Sequence, residues 1–455
     1  MIVYLFKSFS DLAYHLLQGI RMANLIICTT YLCALASLLA CNGGKVNSEV
    51  TVRIVKSDSG YVVLRNGKPF AIKGASGTAN FKTLHEAGGN CLRVWDTTNL
   101  QQILDSAHAN KIAVIAGLPM QNSDQVDLYN DPVKVARQLS MFQTIVERYK
   151  NHPALLMWCL GNELDFPLSP FNNNFYDGFN TATKMIRQLD PNHPITTTII
   201  NFNRKYIANI QLRCDLDLVS FNIFKDINKL RGNLKAFSWF WNGPFMILEW
   251  GVDGPWIGTQ STAWSAFIED PSKKKAEIIL DRYRQNMPIE DPRMVGNFIF
   301  FWGSKQEVTH TWFSMFDESG RKSEPVAVME SIWTGKPQQG SYPKIRSMLL
   351  NNKGASDNIL LNPGQTIVSE LSLLERDSVR YVRWRIFRED WYKENGQSSM
   401  RRPPPLDSKI ESGGKLTARF KSPMEEGPYR IFAEIYDYNG NFATCNTPFY
   451  VVIDP

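Results

Sequence analysis

Short apolar runs recur along the chain, and between them apolar residues return at three-and-four spacing. The runs are "FAIKGAS" (70–76), "CLRVWD" (91–96), "KIAVIAGLP" (111–119), "ALLMWCLGNE" (154–163), "PITTTII" (194–200), "LDLVSFNIF" (216–224), "PFMILEWG" (244–251) and "NFIFFWG" (297–303). Continuous apolar runs of this length read as strands buried on both faces. The spaced stretches, such as "NLQQILDSAHANK" and "DPVKVARQLSMFQTIVERYKN", read as amphipathic helices. Strands alternating with helices pair in parallel through crossovers, and eight such units predict an α/β chain folded as a (β/α)8 TIM barrel over residues 49–345.

Ahead of the first run, "VRIVKSDSGYVVLRNGKPFAIKG" carries an Asn66-Gly67 turn signal and predicts a hairpin capping the barrel's bottom. From about Ser356 the texture changes to strands without helices. In "YVRWRIF", Val382, Trp384 and Ile386 share one face and Arg383 and Arg385 the other, and Asn439-Gly440 marks a hairpin turn. This predicts a small all-β immunoglobulin-like sandwich over 356–455.

The amino terminus departs from both patterns. "MANLIICTTYLCALASLLAC" (22–41) is uncharged, with Lys7 and Arg21 upstream, the layout of an export signal over 1–41. "LLAC" (38–41) resembles the lipobox of bacterial lipoproteins, which implies lipidation of Cys41 and a membrane anchor, with 42–48 as a tether. An uncleaved membrane anchor is the alternative, since the run nearly spans a bilayer. The expected location is the cell envelope or outer membrane.

Composition narrows the function. The 455 residues carry 50 basic and 44 acidic side chains, scattered, and the densest cluster, Lys273 to Lys275, fits one solvated helix turn rather than a nucleic-acid footprint. Of seven Cys, Cys91, Cys159, Cys214 and Cys445 lie beyond the export segment without metal or disulfide spacing, and Cys91 and Cys159 read as core fillers. HExxH, GxSxG, GxxxxGK[ST] and a GxGxxG after the first strand are all missing, so no metal or cofactor is expected.

In a TIM barrel, chemistry gathers where strands end at the carboxyl face. Glu163 closes the fourth run and Glu249 the seventh. Two carboxylates from opposite sides of a barrel mouth can flank one glycosidic bond, one protonating the leaving oxygen while the other attacks or activates water.

"HPALLMWCLGNE" and "PFMILEWG" resemble the acid/base and nucleophile strands of clan A glycoside hydrolases, the group that includes families 2 and 5, and the resemblance runs roughly from Ala71 to Gly303. It implies a retaining glycosidase with Glu163 as acid/base, Glu249 as nucleophile, Asn162 on the sugar 2-hydroxyl, Arg93 beside the nucleophile and Trp302 as platform under the sugar. A β-linked glycan is the implied substrate, and the barrel-plus-sandwich layout, similar to family 158, suggests a β-glucan. Clan A enzymes commonly place a Tyr near the end of strand six, where "VSFNIF" offers Asn222 and Phe224, and Asn222 is expected on the substrate. A transglycosylase using the same pair and a non-catalytic glycan binder are the alternatives.

Around these residues, Trp250, Trp256 and Trp312 can stack on sugars or merely pack. His310, in the loop after strand eight, is placed at the mouth, binding a sugar hydroxyl or holding the loop. Asp165 and Asp253 read as rim carboxylates.

Overall fold

A computed structural model describes residues 50–168, 172–338, 340–374, 379–389, 402–406, 410–411 and 415–453. The expected export segment, Cys41 and the tether lie outside them. Among the described residues, no helix is long and apolar enough to cross a membrane.

The chain opens with an antiparallel three-stranded sheet, β1 (Val52–Ser57), β2 (Gly60–Arg65) and β3 (Lys68–Pro69). Its turn falls at the expected Asn66-Gly67, both in the left-handed region at φ 52° and 73°, where Asn and Gly are the least strained residues. Val52, Val63 and Ile72 join Cys91, Ile115, Met157, Met246 and Phe298 in one buried cluster. The hairpin thus plugs the barrel floor, leaving only the opposite end for chemistry.

The eight predicted runs form one parallel sheet in chain order: β4 (Gly74–Gly77), β5 (Cys91–Arg93), β6 (Ala113–Leu118), β7 (Leu155–Leu160), β8 (Ile195–Thr196) with β9 (Thr198–Ile200), β10 (Val219–Asn222), β11 (Phe245–Trp250) and β12 (Met294–Trp302). β8 and β9 are halves of one strand broken at Thr197. β7 pairs with the first half and β10 with the second, which closes the ring. Helices lie between the strands, including Leu100–Ala109 and Pro132–Tyr149 where the three-and-four spacing placed them. Asp131 caps the latter, accepting from the backbone N–H of Val133 and Lys134.

Among the described residues the sandwich has two four-stranded sheets. One runs β13 (Ile345–Leu350), β15 (Thr366–Leu373), β18 (Thr417–Lys421), β17 (Ile410–Glu411). The other runs β14 (Leu360–Leu361), β20 (Phe442–Val451), β19 (Gly427–Asp437), β16 (Val379–Arg388). Its first strand precedes residue 356, the expected start, because "IRSMLL" pairs with β15 although nothing in its composition separates it from the barrel's last loop. Val382, Trp384 and Ile386 face the sandwich core as the alternation predicted. β19, however, is buried at every position: one face packs inside the sandwich and the other on the barrel.

That contact is polar. Glu269, from the loop after β11, binds Lys275 Nζ at 2.5 Å, Thr309 at 2.6 Å, Thr311 at 2.8 Å and Asn446 of the sandwich at 2.7 Å. Burial alone would raise its carboxyl, but Lys275 and the Thr309 hydroxyl hold it below the ordinary value. Removing one partner of a buried pair leaves the other charge uncompensated, so Glu269→Ala should destabilise by about 3–5 kcal/mol. Urea unfolding measures this, and a loss below about 1 kcal/mol, the value of an exposed pair, would refute the structural weight given to the network.

Candidate active site

The catalytic end is built from strand termini whose backbones leave the sheet abruptly. After β7, Gly161 stands at φ 77°, and a Cβ there would lie 2.4 Å from Leu164 Cδ1, so only glycine fits. Glu163 itself is left-handed at φ 54°, a conformation costing a non-glycine residue roughly 1–3 kcal/mol. It is held by its own N–H donating to Thr198 Oγ1 at 2.8 Å and by Leu164 N–H donating to Thr198 O at 3.0 Å. β9 therefore fixes the loop that delivers Glu163.

Glu249, on β11, is buried. Arg93 Nη1 donates to its Oε1 at 2.5 Å, Trp95 Nε1 at 2.7 Å and Asn222 Nδ2 at 2.8 Å. The same Asn222 nitrogen lies 2.9 Å from Glu163 Oε1 and 3.2 Å from Asn162 Oδ1. Asn162 Oδ1 also receives Arg93 Nη2 at 2.5 Å and the Thr198 hydroxyl at 3.2 Å. Since one nitrogen touches both carboxylates, their facing oxygens are no further apart than the 2.9 and 2.8 Å contacts laid end to end, 5.7 Å. Carboxyl groups of retaining glycosidases lie about 5–5.5 Å apart and of inverting ones about 6.5–9.5 Å, and the bound on the facing oxygens here falls below the inverting range.

Burial pushes the Glu249 carboxyl up to about 7, against the pull of the Arg93 guanidinium, while the nearby Glu163 adds to the rise and Lys305 opposes it. Any chemistry needing ionised Glu249 should therefore grow with pH through neutrality. Arg93→Met removes the main influence favouring the charged form, so the acid limb of the kcat/KM profile should move to higher pH. An unmoved or lowered limb would contradict this electrostatic assignment.

The structure gathers Arg93, Asn162, Glu163, Asn222 and Glu249 but relocates three expected contacts. Asn222, expected on substrate, is buried and spends its amide on the carboxylates. Trp302, the expected platform, is 0% exposed. A register shift between Phe300 and Trp302 accompanies its packing on Phe316 and on Trp333 of the Glu324–Thr334 helix, with its N–H on Asn80 O. The aromatic wall beside Glu249 is instead Trp95 with Phe300 and Phe301, each with its ring centroid 5.8 Å from that of Trp95. His310 is turned away: its Nε2 lies 3.1 Å from Glu434 Oε1 and its ring 4.5 Å from Phe432, both on β19. It holds the loop rather than facing a sugar, because the sandwich covers this side of the barrel.

Trp256 is 59% exposed, its ring on Phe313, while Trp250 and Trp312 are buried. Asp253 is tied to Arg282 at 2.8 Å. Trp95 escaped the sequence reading, although its place two residues after Arg93 was a signal, since alternate residues of an extended segment share a face. Lys305, ion-paired to Glu307 at 2.5 Å and lying over the Phe300 ring at 5.0 Å, carried no signal of its own. No group of His, Cys, Asp and Glu able to hold a metal occurs among the described residues.

A closed eight-stranded barrel with Asn-Glu after strand four and Glu near the end of strand seven is the arrangement that the resemblance to clan A glycoside hydrolases implies. More particularly, residues 90–315 match the family described as glycosyl hydrolases family 2, TIM barrel domain. A β-glucuronidase of Paenibacillus borealis is 23% identical over 345 residues, 65% of this chain and 54% of that protein. The Felis catus β-glucuronidase is 28% identical over 273 residues, covering 52% and 39%. Among solved structures, the Faecalibacterium prausnitzii β-glucuronidase aligns with TM-score 0.48 and 21% identity over 64% of this chain and 53% of that one. The chain spans about half the length of the curated relatives it matches, or less.

Proposed function

We propose that this chain is a retaining glycosidase of β-linked glycans, with Glu249 as nucleophile and Glu163 as acid/base. The observation that carries the reading is the single Asn222 amide nitrogen within hydrogen-bond distance of both carboxylates, which favours the short spacing of double displacement. Ionised Glu249 attacks the anomeric carbon while Glu163 protonates the departing oxygen. Glu163 then takes a proton from the water that releases the sugar. Arg93 and Trp95 hold the attacking carboxylate in place. The β configuration is supported by the β-glucuronidase relatives.

The test is to incubate purified protein with 4-nitrophenyl β-glycosides and a polysaccharide panel, reading the first-formed anomer by NMR. The β anomer is expected, and an initial α product would overturn the retaining assignment.

We also propose export with lipidation of Cys41, supported by the "LLAC" sequence. A fatty-acid analogue should label the wild type and leave Cys41→Ser unlabelled. Labelling that survives the substitution would defeat this reading.

A further inference from the structure

The closed end of the barrel carries aromatic side chains that its core does not use. Among the described residues two tryptophans are exposed: Trp256, in the loop after β11, and Trp239, 80% exposed, at the opposite end. Trp239 follows the helix Ile227–Phe237, in the loop that enters β11. It meets Phe237 and Phe240 edge-on, with ring centroids 6.1 and 5.7 Å away, and Phe240 is itself exposed. Ile289, 58% exposed, stands in the neighbouring loop that enters β12. Arg231 joins the two, donating to Met287 O at 2.7 Å and pairing with Glu290 at 2.9 Å. The floor hairpin borders them, with Tyr61 N–H donating to Pro292 O at 2.7 Å and the Tyr61 hydroxyl 3.5 Å from Asn242 O.

A single exposed apolar residue is ordinary, but apolar side chains grouped within a polar rim mark an interaction surface. This rim is basic. Residues 52–69 carry Arg53, Lys56, Arg65 and Lys68 against Asp58 alone, and residues 233–244 carry Lys235 with no acidic residue. The nearby Glu290 and Asp291 are paired with Arg231 and Arg293. Aromatic rings beside Lys and Arg suit the headgroup region of a bilayer containing anionic lipid, where the rings sit at the boundary and the cations meet phosphate. Chain length points to the same partner. Val50 is buried in the floor cluster, and Val52 N–H donates to Asn192 O, in the loop that enters β8, at 2.8 Å. The nine steps from Cys41 to Val50 reach about 30 Å at full extension. A lipid on Cys41 therefore holds the floor, rather than the mouth, near the membrane.

We infer that the barrel floor is a membrane-docking face, with Trp239, Phe240 and Ile289 entering the headgroup region and the basic hairpin facing anionic lipid. This inference rests on the lipidation of Cys41 and is independent of the glycosidase reading. Docking by the floor turns the mouth, with Glu163 and Glu249, away from the bilayer, so that glycans are met from the aqueous side.

The test uses the full chain, expressed with its export segment, purified from membranes and placed on vesicles of phosphatidylethanolamine with a minority of phosphatidylglycerol. An environment-sensitive fluorophore is attached through Asn242→Cys, exposed beside Trp239, or through Leu168→Cys, exposed at the catalytic end, each combined with Cys214→Ser. Lipids brominated in the upper acyl chain should quench the label at 242 about twofold, since docked apolar side chains reach the acyl boundary, and leave the label at 168 unchanged. Adding Trp239→Ser and Phe240→Ser should abolish the quenching while the lipid keeps the protein on the vesicles. Equal quenching at both positions, quenching at neither, or quenching that survives the double substitution would overturn the docking face and leave lipidation standing. Emission at 242 that follows protein concentration rather than lipid would assign the patch to a second copy and overturn it too. A protein that neither floats with vesicles nor takes up a fatty-acid label would defeat the lipidation reading and the docking face together.

Discussion

Glu249→Ala is expected to lower kcat/KM on every substrate by on the order of 10⁴-fold or more, because without the carboxylate no glycosyl-enzyme can form. The loss should be the same for good and poor leaving groups, since it precedes any question of protonation. The truncated side chain leaves a space lined by Arg93, Trp95 and Asn222, all of which donate to the carboxylate it replaces. Azide should enter that space and restore cleavage with an α-glycosyl azide as product, the inverted configuration. A variant retaining a tenth of wild-type activity would remove Glu249 from the mechanism.

Glu163→Ala should give a different signature. Glu249 still attacks, so aryl glycosides whose phenols are acidic need little help in leaving and should react to the glycosyl-enzyme, whereas natural glycans, with poor leaving groups, should fall by about 10²–10⁴-fold, the range of general acid catalysis. Azide should here yield a β-glycosyl azide, because two displacements have occurred. If the two variants behaved alike on both substrate types, the assignment of acid/base to β7 and nucleophile to β11 would fail.

The barrel was legible because its strands are buried on both faces and so appear as unbroken apolar runs, each ending where a polar residue first becomes tolerable. Glu163 and Glu249 stood out for that reason. What local sequence could not show was which way a side chain turns when a ladder slips: Trp302 looks equivalent to its neighbours in "FIFFWG" until the register against β4 is known. Nor could it show that the polar face of β19 is covered. Arg430 and Glu434 alternate with apolar residues as on a solvated strand, yet both are buried, and His310 follows Glu434 into that interface. Asn222 was singled out, but a partnership with both carboxylates joins three strands distant in sequence and has no local signature.

The polar contact between barrel and sandwich has a consequence for protein engineering. Appended β-sandwiches invite exchange as interchangeable cassettes, but here the exchangeable unit is larger than the sandwich. Arg430 reaches Phe267 O, Asn446 reaches Glu269, and Glu434 reaches His310, so the sandwich holds both the loop that follows the nucleophile strand and the loop after β12 that carries Lys305. A chimera with a foreign sandwich would inherit unmatched charges beneath these two loops. Recombination should succeed only when residues 260–275 and 304–317 travel with the sandwich that anchors them.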